Sequence, residues 1–270
     1  MTAGVISFVG AGPGAPDLLT LRGAQRLAHA DVVVWAASLV PEEVLAHCRP
    51  DAVLFDSKGM TLEAVTAVYA DHPEAAIVRL HSGDPTVYSA VAEQIAWCIT
   101  HGRAYEIVPG VSSLAATAAA AGCELTVPGV AQTVVLTRLA ARTAASMPDH
   151  DDHGVAAAAR LGATMAVFLS AARPEALQDE LLAPGSRYGP DTPALIAHRV
   201  SRSDEALLPT TIGRLAADMR NLGATTTVLV LVGDALAGAN PDFRSHVYAP
   251  DYSHSFRAAD SAPAADEDGA

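Results

Sequence analysis

Short apolar, largely β-branched runs alternate along the first half of the chain with longer stretches whose apolar positions recur at helical spacing. Residues 5–9, 32–35, 52–55, 76–80 and 105–108 read as strands. Each is apolar through most of its length, as strands covered on both faces are. Between them, residues 18–30, a segment opened by Pro41-Glu42-Glu43, a segment capped by Thr61, residues 87–101 and residues 112–121 read as helices. Proline in a first turn, hydroxyls at the starts, and Gly102 and Gly122 past the ends mark their limits. Repeated β-then-α units predict a mostly parallel sheet covered on both faces.

Beyond Pro128-Gly129 the pattern restarts on a smaller scale. Strands are expected at 133–136, 165–169, 194–198 and 226–232, and helices at 174–182 and 211–222. Residues 140–154, rich in Asp, His and Pro, read as a loop. The fold class is therefore α/β, with two α/β domains at 1–128 and 129–250. A polar tail at 251–270 is expected to be largely disordered, its acidic end lacking apolar residues to bury.

Composition narrows the function. A net charge of −13 argues against nucleic-acid binding, which needs a basic surface to neutralise phosphates. Apolar runs are far too short for the roughly 20 residues that cross a bilayer, and the start lacks a signal peptide's basic flank, so a cytoplasmic protein without a membrane partner is expected. Cys48, Cys98 and Cys123 form no CxxC pair and read as reduced core residues. Lys58 is the only lysine among 17 basic residues, and arginine suits bidentate carboxylate recognition. The run Asp149-His150-Asp151-Asp152-His153 reads as a solvated loop, and no metal site is expected.

Three glycine loops carry the candidate chemistry, each directly after a strand. Gly10-Ala11-Gly12-Pro13-Gly14 lets backbone approach a ligand closely. It is not a dinucleotide fingerprint: the G-x-G-x-x-G spacing fails, and the second strand ends in Trp35-Ala36-Ala37-Ser38 with no acid for a ribose hydroxyl. That disfavours a nicotinamide oxidoreductase. His81-Ser82-Gly83-Asp84-Pro85 and Val108-Pro109-Gly110-Val111-Ser112-Ser113 stand at the carboxyl ends of strands, where open sheets bind ligands. Asp84 can accept from ligand amines or hydroxyls, or cap the following helix. Three such loops on one edge favour a cofactor enzyme over a plain carrier protein.

At these residues the chain resembles the tetrapyrrole methylase family, whose patterns are G-x-G-P-G followed by L-L-T-L (Gly10 to Leu21), G-D-P (Gly83-Asp84-Pro85) and V-P-G-x-S-S (Val108 to Ser113). The resemblance spans residues 5–257. It implies two α/β domains with S-adenosylmethionine as cofactor in the cleft between them, a tetrapyrrole substrate in the open part, and a homodimer. Carried over by position, cofactor contacts are implied at Pro13, Ser82, Gly83, Asp84, Val87, Ser112 and Ser113. In the second domain they are implied at Leu169, Ser170, Arg199, Val200, Thr225, Thr226 and Thr227.

Uroporphyrinogen methylases carry an acid where this chain has Ala36. The runs from Trp35 to Val40, Gln132 to Arg138 and Tyr252 to Arg257 instead resemble the branch acting on precorrin-4. This implies methylation of carbon 11 on the way to cobalamin. Another corrin intermediate, or an RNA substrate that the acidic charge disfavours, is the alternative within the fold. Substrate contacts are expected from Arg138, Arg142 and His81, and Arg79, Arg173 and Arg199 also stand near the expected cleft. No residue declares itself as a general base: His81 is a candidate, and an ordinary hydrogen-bonded histidine is the alternative.

Overall fold

A computed structural model describes residues 4–139, 153–238 and 245–259. The first five strands, β1 (Ile6–Gly10), β2 (Val32–Trp35), β3 (Val53–Asp56), β4 (Ile77–His81) and β5 (Tyr105–Val108), form one wholly parallel sheet in the order β3-β2-β4-β1-β5. Strand alternation sends side chains to two separate cores. Val9, Leu27, Val33, Val44, Val78 and Leu80 pack beneath α1 (Leu21–Ala28). Ile6, Phe8, Val34, Val65, Tyr69 and Cys98 pack beneath α2 (Leu62–Asp71) and α3 (Val91–Thr100). A fully buried Leu or Phe in such a core is worth about 1.5–3 kcal/mol. Because β1 lies between β4 and β5, the loops that leave these three adjacent strands emerge side by side, from the middle of the sheet to its β5 edge.

The second sheet joins β6 (Val134–Arg138), β7 (Thr164–Phe168), β8 (Pro193–His198), β9 (Ala206–Thr211) and β10 (Val228–Val232) in the order β6-β7-β10-β8-β9. Only β6 and β7 run parallel; the other pairs are antiparallel. One face packs against α5 (Val155–Ala159), α6 (Pro174–Leu181) and α7 (Leu215–Leu222), burying Met165, Val167, Leu177, Ile196, Leu215 and Val230. The other face buries Ala166, Leu195, Leu229 and Leu231 against Leu114 of α4 (Ser113–Ala120) and Leu125. The first half of the chain thus covers the second sheet, and the space between them opens into a cleft.

Several local expectations differ from the structure. The predicted helix at 87–101 starts only at Val91, because Tyr88 and Ala90 take left-handed φ values of 53° and 48°. The helix expected from Pro41 is a short 3-10 turn, Glu42–His47. Residues 18–30 divide into a 3-10 turn, Pro16–Leu18, and α1, whose N-cap Thr20 accepts from the Gly23 amide at 3.1 Å. Strand β9 lies where the sequence predicts no element, and it contains Pro209. It lies at a sheet edge, where proline's missing N–H breaks no ladder. Residues 251–259, read as part of a disordered tail, form a turn in which Arg257 Nη2 donates to the carbonyls of Val247 (2.9 Å) and Ala249 (2.7 Å).

Cys48, Cys98 and Cys123 carry no disulfide. Among the described residues no helix is long and apolar enough to cross a membrane, and no group of three or more His, Cys, Asp or Glu could hold a metal. Asp149 to Asp152 of the polar run lie outside the described residues.

Candidate active site

The three glycine loops touch one another. Gly12 and Gly83 form a bridge, with the Gly83 amide donating to the Gly12 carbonyl at 2.8 Å. A Cβ on Gly110 would stand 2.2 Å from the Gly83 carbonyl oxygen and 2.7 Å from Gly10 Cα, so backbone fills the space a side chain would need. Asp84 ties the assembly. Its Oδ2 accepts from the Gly110 amide at 2.9 Å, and its Oδ1 accepts from the amide (2.8 Å) and hydroxyl of Thr86. Burial opposes ionisation of this carboxyl, but those donors outweigh it and hold its pKa below the usual carboxylate range. Asp84 therefore does not cap α3; it caps its own turn and joins the second glycine loop to the third.

These loops form one wall of a cleft of about 670 Å³, a volume suited to a small-molecule ligand (roughly 300–1,000 Å³). Pro13, Ser82, Gly83, Asp84, Val87, Ser112 and Ser113 line it from the first half, and Leu169, Val200, Thr225, Thr226 and Thr227 from the second. Ser112 caps α4, its Oγ accepting from the Leu114 amide at 3.2 Å, so the start of that helix faces the cleft. Tyr88 from the first half meets Phe168 of β7 across the opening, ring centroids 5.2 Å apart. On another side the loop after β8 clasps the first half: Ser201 Oγ accepts from the Ala15 amide at 2.9 Å, and Arg202 donates to the Leu39 carbonyl.

Other expected site residues fall outside this lining. Ser170 is fully buried with a hydroxyl that finds no partner, and Arg199 pairs with Asp204 at 2.9 Å. Arg138 ends β6 near Tyr88; burial raises that phenol's pKa and the Arg138 charge opposes the rise. Arg173 is exposed just ahead of α6. Arg142 lies outside the described residues.

His81 and Arg79 both line the cleft. His81 is 6% exposed and its Nε2 has no hydrogen-bond partner. Burial first, then the neighbouring Arg79 charge, lowers the imidazole pKa to about 3. The ring is neutral at physiological pH and can exchange hydrogen bonds, but it is too weak a base to hold a proton there. Burial also lowers the Arg79 pKa, yet a guanidinium remains charged.

Ala36, the position where the sequence lacks an acid, lines the cleft, as do Leu39, Tyr88, Phe168 and Ala197, which no sequence motif marks as site residues. Backbone conformation supplies a clearer signal. Among the described residues, six non-glycines have left-handed φ: Tyr88, Ala90, Leu169, Arg199, Ser201 and Thr227. Four of them line the cleft, and Arg199 and Ser201 flank the lining residue Val200. Such conformations cost about 1–3 kcal/mol each and cluster at functional sites.

The unfilled contour above Gly83, the unpaired His81 Nε2 and the hydroxyls of Thr225 to Thr227 suit a ligand with both polar and apolar parts. Residues 5–216 match the model of the tetrapyrrole (corrin/porphyrin) methylases. The precorrin-4 C(11)-methyltransferase of Rhodococcus erythropolis is 42% identical over 246 residues, 90% of this chain and 96% of that protein. The crystal structure of a cobalt precorrin-4 methyltransferase matches with a TM-score of 0.80 and 37% identity, covering 86% of this chain and 95% of the other. The Thermus thermophilus uroporphyrin-III C-methyl transferase, solved with S-adenosyl homocysteine, matches with a TM-score of 0.69 and 27% identity, covering 87% and 99%.

Proposed function

The chain belongs to the tetrapyrrole methylase family, and from that premise we propose that it transfers a methyl group from S-adenosylmethionine to carbon 11 of precorrin-4, giving precorrin-5 on the route to cobalamin. The observation that carries this reading is the single cleft into which three mutually packed glycine loops and the Leu169, Val200 and Thr225–Thr227 segments all open.

When bound, S-adenosylmethionine would supply an electrophilic methyl, its sulfur keeping the electron pair of the S–CH₃ bond while the substrate would provide a π pair for the new C–C bond and lose a proton. The protein's share is placement, which in-line transfer rewards most. Gly83, Ser112 and Ser113 hold the cofactor from one side, and Leu169, Val200 and the three threonines from the other. Tyr88 and Phe168 screen the transfer from water. Arg138, at the end of β6, takes a substrate carboxylate by charge-assisted hydrogen bonds. His81 contributes hydrogen bonding rather than proton storage, since its ring stays neutral.

The same reading includes two domains dividing at Pro128-Gly129, a homodimer and a cytoplasmic location; three unpaired cysteines support the compartment. The cobalt-substrate relative motivates a second reading in which the precorrin carries cobalt. Incubation with S-adenosylmethionine carrying a ¹³C methyl, and with precorrin-4 and cobalt-precorrin-4 in parallel, tests both. Label at carbon 11 in the NMR spectrum is expected. Tight cofactor binding with no transfer to either substrate would reject the substrate assignment.

A further inference from the structure

One cation on the cleft wall has no paired anion. Arg79 stands in the middle of the first sheet, opposite Val34 on one side and Phe8 on the other. Its Nη1 donates to Ser57 Oγ at 2.7 Å and to the Val34 carbonyl at 3.3 Å, and its Nε is shut off from solvent without a partner. Both partners are neutral, and the Ser57 hydroxyl itself donates to the Trp35 carbonyl at 3.0 Å. Among the described residues no carboxylate pairs with this guanidinium. The acid beside Ser57 in the chain, Asp56, is engaged by the Ala37 and Lys58 amides and the Lys58 ammonium. Arg26, Arg49, Arg199, Arg214 and Arg220 have carboxylate partners. Arg103, Arg202 and Arg257, like Arg79, donate to neutral groups instead, but among the described arginines Arg79 alone lines the cleft.

A half-buried cation without an anion costs stability, and natural proteins rarely leave one so. Ala36 lines the same cleft, two residues beyond Val34 on the strand next to Arg79. That offset is roughly 6.6 Å along the strand and about 4.8 Å across, within reach of a long arginine side chain and a short carboxylate. A methyl at position 36 leaves the space free. The neutral His81, two residues further along β4, offers no competing anion.

We propose that Arg79 anchors a carboxylate of the bound ligand, and that Ala36 leaves this anion to be supplied by the ligand instead of the protein. The inference rests on the methylase reading of the cleft, under which either the tetrapyrrole's side-chain carboxylates or the amino-acid carboxylate of S-adenosylmethionine could fill the position.

Arg79→Gln and Ala36→Asp test it with three readouts: KM for precorrin-4, Kd for S-adenosylhomocysteine and for 5′-methylthioadenosine, and the ligand-free melting temperature. Loss of a charge-assisted carboxylate bond should weaken the anchored ligand by about 10- to 100-fold. A rise confined to the precorrin KM assigns the anchor to the substrate. Weaker S-adenosylhomocysteine binding with unchanged 5′-methylthioadenosine binding assigns it to the cofactor's carboxylate. Ala36→Asp should reproduce the same loss while raising the ligand-free melting temperature, because an internal carboxylate then balances the cation; a purely structural arginine would not show that pairing. The anchor is overturned if Ala36→Asp leaves every affinity within about twofold of wild type, or if Arg79→Gln folds normally and does so. Absence of methyl transfer by the wild type would sink the methylase reading separately, and the two titrations with the melting temperature would still judge the anchor.

Discussion

The wall built by residues 6–127 follows three parallel strands into glycines that press backbone against backbone. The wall built by residues 134–232 rests on a sheet that is mostly antiparallel, and it turns sharply at Leu169, Arg199, Ser201 and Thr227, with no glycine at those points. Where the glycine loops meet, the first solution leaves no room for side chains, and that wall takes left-handed backbone only beyond them, at Tyr88 and Ala90. The second accepts backbone strain and in return keeps a leucine and a threonine side chain in the cleft. Close approach and side-chain presentation are opposed demands, and the two halves divide them.

Substitutions that exchange the two solutions break the comparison most sharply. Gly110→Ala pushes a Cβ into the backbone of Gly83 and Gly10. It should cost on the order of 3 kcal/mol of stability and abolish S-adenosylhomocysteine binding, as thermal melting and calorimetry would show. Thr227→Gly should do the reverse: its side chain is exposed and its φ is 57°. Relief of strain should raise stability by about 1 kcal/mol, while binding weakens through loss of the hydroxyl. Equal losses of stability in both variants would show that the walls are not built differently.

A smaller effect concerns the histidine next to the glycine floor. The folded pKa of His81 lies at about 3, below the ordinary 6.5. The unfolded chain therefore binds this proton first as pH falls. The resulting stability is complete above pH 6.5 and drains away between 6.5 and 3, by an amount on the order of a few kcal/mol. His81→Gln should flatten that part of the pH–stability curve relative to wild type. Superimposable acid limbs for the two proteins would contradict the buried neutral ring.

What the sequence made legible was local. The glycine loops and the strands before them are written in short contiguous motifs, and the β-then-α alternation leads to the parallel first sheet. Arg79 looked like one arginine among several near the cleft, because the absence of a counter-ion depends on β2, β3 and β4 being neighbours. Asp84 was legible as a capping or ligand residue, yet its bond to Gly110 spans 26 positions. Strand β9 carries Pro209, whose tolerance depends on the strand being at an edge, a fact of sheet order that no local pattern shows. The left-handed Tyr88 and Ala90 delay α3 by four residues, and the ordinary helical spacing of the sequence there gives no sign of it.

A crystal structure of the protein with S-adenosylhomocysteine tests most directly that both walls serve one methyl-transfer site. The account predicts density in the cleft that contacts Gly83 and the Ser112-Ser113 turn on one side and the Thr225–Thr227 segment on the other. Density lodged elsewhere, or held by one wall alone, would contradict it.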